Sequence, residues 1–124
     1  MSPTSKILIV DDDARLCNSL KVFLSNQNSE IITAYSGKEA IKLLSKDKFD
    51  LILLDVVMPD MSGYQVMDYM HSHDLDTSVI VMTGYAPSDL AAEVPPKGAF
   101  AYLLKPFDLE ELVTTVQNAL KKNA

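Results

Sequence analysis

The chain is expected to form an α/β domain, a five-stranded parallel sheet with helices packed on both faces. Three observations predict it. Short apolar blocks rich in Ile, Leu and Val recur along the chain, amphipathic stretches at helical spacing separate them, and this alternation requires the crossover connections that parallel neighbours need. At 124 residues the chain is one compact unit, residues 1–124, with no room for a second domain.

Each element follows from its residues. Ile7-Leu8-Ile9-Val10 is a short, continuously apolar run and reads as a first strand covered on both faces. From Ala14 to Ser25, Leu16, Leu20, Phe23 and Leu24 recur at helical spacing, with Asp12 or Asp13 available as N-cap. Glu30 to Ala34 is a second strand. Ser36-Gly37-Lys38-Glu39 has the capping-box spacing and opens a helix carrying Ala40, Ile41 and Leu44. Phe49 to Asp55 repeats the buried-strand pattern. The turn Met58-Pro59-Asp60-Met61-Ser62-Gly63 leads into a third helix through Val66, Met67 and Met70, and Ser78 to Thr83 is a fourth strand. Between Ala86 and Gly98, Pro87 permits a helix start and Pro95-Pro96 stops it after about two turns, so a fourth helix is short or irregular. Ala99 to Leu104 is the fifth strand. Asp108-Leu109-Glu110-Glu111 then caps a final helix carrying Leu112, Val113, Val116 and Leu120, and Lys121-Lys122 suit the negative end of its dipole.

Composition excludes several classes. Seventeen acids against eleven bases give a net charge of −6, which disfavours direct binding to a nucleic-acid backbone. A single cysteine, Cys17, allows no internal disulfide and no CxxC motif, and suits a reducing cytoplasm. The longest apolar runs span about five residues, far below the ~20 that cross a bilayer, so no membrane association is expected.

The polar residues carry the chemistry. Asp11, Asp12 and Asp13 close the first strand, Asp55 the third, Thr83 the fourth and Lys105 the fifth, all at the carboxyl edge where ligands bind in such sheets. If the first and third strands are neighbours, Asp11, Asp12 and Asp55 converge. Two carboxylates about 5 Å apart repel by roughly 3 kcal/mol at an effective dielectric near 20, so the cluster calls for a cation. Hard oxygen ligands without Cys or His point to Mg2+, with Ca2+ and Mn2+ as alternatives, and Mg2+ held by few carboxylates usually works with a phosphate. The Thr83 hydroxyl and the Lys105 ammonium would then bind phosphoryl oxygens, leaving one aspartate as nucleophile. Asp13 is read as a helix cap. His71 and His73 are read as solvated, Cys17 as a buried small residue and the methionines as core filler.

Five separated features fall in one order and spacing: Asp11-Asp12 after the first strand, Asp55 within Leu53-Leu54-Asp55-Val56-Val57-Met58-Pro59 with Gly63 following, Thr83-Gly84, Tyr102, and Lys105-Pro106-Phe107. On these, from Lys6 to Lys122, the chain resembles the receiver domains of two-component response regulators, of the chemotaxis-regulator type. The resemblance implies a flavodoxin-like, doubly wound sheet with strand order 2-1-3-4-5. It implies that Asp55 is the phosphoacceptor, taking a phosphoryl group from a histidine of a sensor kinase or histidine phosphotransfer protein. Asp12, Asp55 and the Val57 backbone carbonyl would bind Mg2+ directly and Asp11 through water, with Thr83 and Lys105 on the phosphoryl oxygens. A cis Lys105–Pro106 bond is implied, and Tyr102 resembles the aromatic switch that follows the threonine. The output would be a population shift of the face made by the fourth helix, fifth strand and final helix, read by an effector domain or target protein or by a phosphorylation-dependent dimer. Such a domain assists its own phosphorylation and dephosphorylation and is not an enzyme.

Departures from the family pattern matter too. The residues two after Asp55 and two after Thr83 are Val57 and Tyr85, apolar or bulky, and neither orients an attacking water well. Slow self-dephosphorylation is therefore expected, and an unchanged acyl-phosphate lifetime in Val57→Asn with Tyr85→Glu would refute it. Ala101 and Thr115 stand where winged-helix members carry an acid and an arginine, which removes the charged dimer seam of that subfamily. Three other functions compete: a haloacid-dehalogenase-like Mg2+-dependent phosphatase, a flavodoxin-like electron carrier, and a pseudo-receiver that only binds partners. The first puts its nucleophile on the first strand with a second Asp two residues on, where Val57 stands here. In the second, the Asp11–Asp13 run would repel a flavin phosphate.

Overall fold

The computed structural model describes residues 5–25, 29–84 and 98–122. Its strands β1 (Ser5–Val10), β2 (Ser29–Ala34), β3 (Leu51–Asp55), β4 (Ser78–Thr83) and β5 (Ala99–Leu104) form one sheet, all pairs parallel, in the order β2-β1-β3-β4-β5. Four helices are described: α1 (Ala14–Leu24), α2 (Gly37–Lys46), α3 (Gly63–Ser72) and the C-terminal helix (Leu109–Lys122). The short fourth helix expected between Ala86 and Gly98, with Pro87 and Pro95-Pro96, lies outside the described residues.

Period-two alternation on the strands sorts the core into two layers. Leu8, Val10, Ile52, Leu54 and Val81 pack with Ala40 and Leu44 of α2 and with Val66, Met67 and Met70 of α3. On the opposite face Ile7, Ile9, Leu51, Leu53, Ile80 and Met82 pack with Cys17, Leu20 and Leu24 of α1 and with Leu112, Val116 and Ala119 of the C-terminal helix. Burial on both faces is why β1, β3 and β4 read as unbroken apolar runs. Truncating a fully buried leucine such as Leu53 to alanine is expected to cost about 2–5 kcal/mol.

Local details adjust the sequence reading. Asp13 is the cap of α1, its carboxylate accepting from the Arg15 and Leu16 amides, which leaves Asp12 exposed and uncommitted to that role. The helix ends at Leu24 and Ser25 is its C-cap. Ser36 caps α2 through the Glu39 amide, but the Glu39 carboxylate reaches back to the Tyr35 amide at 2.7 Å and not to the cap residue. The reciprocal box forms at α3, between Ser62 and Gln65. Asp108 caps the C-terminal helix on the Glu110 and Glu111 amides. β3 starts at Leu51, two residues after Phe49: the Phe49 carbonyl accepts from the Thr77 hydroxyl, and the Lys6 amide donates to the Asp50 side chain in place of a strand carbonyl.

β1 is flanked by β2 on one side and β3 on the other, so successive crossovers leave it in opposite directions. The carboxyl ends of β1 and β3 form the crevice at that reversal, and both end in candidate site acids.

Candidate functional site at the carboxyl edge of the sheet

Asp11 follows the last residue of β1. Its amide extends the ladder to the Ala34 carbonyl at 3.1 Å, which holds the residue in line while the carboxylate turns across the strand ends. One carboxylate oxygen accepts from the Asp13 amide at 2.9 Å and the other from Lys105 Nζ at 2.6 Å. Asp55, the last residue of β3, lies with its Oδ1 3.6 Å from the same ammonium and accepts a long bond from the Val57 amide at 3.4 Å. Asp12 is exposed on the solvent side, and one oxygen from each of Asp11, Asp12 and Asp55 can be chosen so that all lie within 4.8 Å of one another. Among the described residues this is the one such group found.

Burial makes this proximity costly. Asp11 is 1% exposed and Asp55 6%. Desolvation, then the Asp11 charge, pushes the Asp55 carboxyl up to about 6, while Lys105 and the Val57 amide oppose that shift. Burial works against the Lys105 ammonium, but the Asp11 hydrogen bond and the Asp55 and Asp11 charges outweigh it and hold its pKa above the ordinary lysine value. Three carboxylates face one ammonium, so the rim is short of positive charge.

Lys105 reaches the rim from the end of β5. Its amide donates to the Thr83 carbonyl at 2.6 Å, and the following Lys105–Pro106 peptide bond is cis. Thr83 is 1% exposed at the end of β4, one residue beyond Met82, the partner of Asp55 across the sheet. Gly63 closes the far side, its amide donating to the Val56 carbonyl at 2.8 Å. A Cβ at that glycine would meet the Asp55 carbonyl, which accounts for the glycine in sequence. Val57 is 55% exposed beside Asp55, and Tyr85 lies outside the described residues.

The structure thus brings Asp11, Asp12, Asp55 and Lys105 together, with Thr83 and Val57 at their border. Tyr102 stands apart on β5, half-buried against the α2 and α3 layer, where desolvation raises its phenol. Cys17 is fully buried, its thiol donating to the Asp11 carbonyl at 3.3 Å. Burial, then the Asp11 charge, pushes it up to about 12, so it is an inert packing group. Ala101 packs into the α1 layer, and the Thr115 hydroxyl donates to the Glu111 carbonyl of its own helix. His73 is exposed, as read from sequence, and in addition stacks on Tyr69 with centroids 4.0 Å apart, its Nδ1 2.9 Å from the Tyr69 carbonyl. Asp60, read from sequence as a turn residue, accepts from the Gly37 and Lys38 amides of α2. Its position among turn formers gave no signal for a partner more than twenty residues away.

A doubly wound sheet that gathers carboxylates and a lysine at its switch point defines a class of phosphoacceptor signalling domain. The chain belongs to the response regulator receiver domain family, whose model matches residues 7–117. It is 40% identical over 121 residues to the regulatory protein AtoC of Escherichia coli, covering 98% of this chain and 26% of that protein. It is 36% identical over 118 residues to the transcriptional regulatory protein CiaR of Streptococcus pneumoniae, covering 95% of this chain and 52% of that one. The chain therefore spans about a quarter of the length of AtoC and half that of CiaR. Among solved structures, the signal receiver domain of a LuxO repressor protein from Vibrio parahaemolyticus matches with a TM-score of 0.89 and 34% identity, over 96% of this chain and 92% of that one. The response regulator TrrA of Thermotoga maritima, solved in complex with Mg2+-BeF, matches with a TM-score of 0.84 and 32% identity, over 94% of this chain and all of that one. Receiver domains bind Mg2+ at an acidic pocket and partner with histidine kinases. These matches favour none of the phosphatase, electron-carrier or pseudo-receiver readings. Among the described residues, no helix is long and apolar enough to cross a membrane.

Proposed function

We propose that residues 1–124 are a single cytoplasmic receiver domain in which Asp55 accepts a phosphoryl group from a phosphohistidine of a sensor kinase or histidine phosphotransfer protein. The carrying observation is a buried Asp55 carboxylate, facing Asp11 and Asp12, with Lys105 on its edge. An Asp55 oxygen attacks phosphorus, the new O–P bond forms, and the N–P bond breaks with its electron pair leaving on the imidazole. With a pKa of about 6, Asp55 is mostly ionised at neutral pH and nucleophilic.

The residues present fit a divalent cation, because three hard oxygen donors converge with one ammonium between them. Asp12, Asp55 and the Val57 carbonyl would hold Mg2+ directly. Asp11 would act through water, which suits a carboxylate whose two oxygens already accept from Asp13 and Lys105. Bound there, the ion supplies the positive charge that lets an anionic carboxylate meet an anionic phosphoryl group. Lys105 and Thr83 take the remaining phosphoryl oxygens, and Thr83 couples the event to Tyr102 and the surface around β5 and the C-terminal helix. An effector domain or target protein reads that surface. The domain promotes its own modification and hydrolysis and turns over no separate substrate. Val57 offers no group to orient a water, which supports a long-lived acyl phosphate.

Incubation with Mg2+ and acetyl phosphate, followed by intact mass, tests the reading. A gain of about 80 Da in the wild type, absent in Asp55→Ala, is expected. No gain, or a gain retained in Asp55→Ala, overturns it.

A further inference from the structure

The loop from Val56 to Ser62 carries the Val57 carbonyl; besides the long bond from the Val57 amide to Asp55, contacts outside the acidic rim hold it. At one end Gly63 is pressed against the Asp55 and Val56 backbone. In the middle, the Asp60 carboxylate crosses to another element: Oδ1 accepts from the Gly37 amide at 3.1 Å and Oδ2 from the Lys38 amide at 2.9 Å. These are the first two residues of α2, whose own cap, Ser36, takes the Glu39 amide. Asp60 thus satisfies two amides that the helix leaves without an internal partner. The Lys38 and Gly37 bonds hold its carboxyl below the usual carboxylate range, and the positive end of the α2 dipole favours the anion. Met61 adds a second tie, lying over Gly37 so closely that a Cβ there would collide with the Met61 side chain.

Between these ties run Val57, Met58 and Pro59. Met58 is buried in the core, and Pro59 confines it to extended backbone. With Asp60 held, the Val57 peptide lies in a short segment tied at both ends. We infer that Asp60 is a positioning residue that, by fastening this loop to the start of α2, presets the Val57 carbonyl for the divalent ion. The inference rests on reading the acidic rim as an ion site. Without Asp60 the loop keeps its Gly63 end and the Met58 anchor but samples orientations that aim the carbonyl away. Apparent ion affinity falls in proportion to the lost population.

The test uses Mn2+ as probe, with free ion counted from its EPR signal, and hydrogen exchange at the Gly37 and Lys38 amides. Asp60→Ala is expected to weaken Mn2+ binding about tenfold, the low end for groups that support a metal site from outside it, and to speed exchange at both amides. Asp60→Asn, which keeps an acceptor oxygen, recovers part of both. Ser36→Ala removes the other cap of α2 without touching the loop and should bind Mn2+ like the wild type. Affinity within about twofold of wild type in Asp60→Ala, or an equal loss in Ser36→Ala, overturns the inference while leaving the ion site standing. A wild type that binds no Mn2+ overturns the ion site and this inference together.

Discussion

The two rims of the sheet both set a lysine among aspartates, and β1 serves both, with Lys6 near its start and Asp11 just past its end. At the amino rim Lys6 lies 3.5 Å from Asp47, which is 45% exposed, and 5.2 Å from the centre of the Phe49 ring. The Asp50 carboxylate there is spent on the Lys6 amide. At the carboxyl rim Lys105 meets Asp11 and Asp55 with almost no solvent around either acid. The residue types match and the two lysines are about equally exposed, yet Asp47 at the amino rim is wet while Asp11 and Asp55 at the carboxyl rim are dry and short of positive charge. Burial and charge imbalance, more than the presence of ion pairs, separate a site that can do chemistry from one that ties a loop.

The largest expected effect comes from removing the cation of the dry rim. Lys105→Met should slow phosphorylation of Asp55 by acetyl phosphate about a hundredfold, as loss of a transition-state charge partner does, and should drive the Asp55 pKa higher still. Time-resolved intact mass checks the rate and carboxylate NMR the titration.

A second effect is a pH dependence of stability. Asp55 titrates at about 6 in the folded chain against an ordinary 3.8. Below pH 4 both states carry the proton. Between 4 and 6 the unfolded chain releases it first, so stability falls as pH rises, by about 3 kcal/mol in all, and levels off above 6. Asp55→Asn lacks this fall. Denaturant unfolding should show the variant more stable than the wild type at pH 8, with the gap closing toward pH 4. Mg2+ should narrow the gap at pH 8 by stabilising the wild type more than the variant, which lacks one of the three carboxylates. A gap independent of pH would break the contrast between the rims.

The smallest effect belongs to the wet rim. Lys6→Ala should change unfolding free energy by under about 1 kcal/mol and leave the phosphorylation rate within about twofold, because a partly solvated pair contributes little. A loss comparable to that of Lys105→Met would show that the two rims are not different in kind.

Strands and caps were legible wherever residue type and spacing act locally. Ile7–Val10 and Ser78–Thr83 read as strands because burial on both faces requires apolar runs, Ala99–Leu104 reads as one from its apolar run although it is a half-buried edge strand, and all three lie in the sheet. Asp108 capped its helix as its position suggested. Glu39 did not complete the box its spacing allowed, because the Tyr35 amide was within its reach. The Ser62–Gln65 box went unread among the turn formers before α3. His73 found Tyr69 one helical turn back, a stack that depends on the chain bending at the helix end.

By itself the sequence determined the alternation of elements and the placement of Asp11, Asp12, Asp55, Thr83 and Lys105 at strand ends, because side-chain period and strand length are local properties of the chain. Tertiary structure alone decided which of those acids is buried, that Lys105 pairs more closely with Asp11 than with Asp55, and that Asp60 reaches the start of α2. Desolvation and hydrogen bonding between distant residues depend on what the folded chain brings within a few ångströms, and spacing along the sequence carries no measure of that.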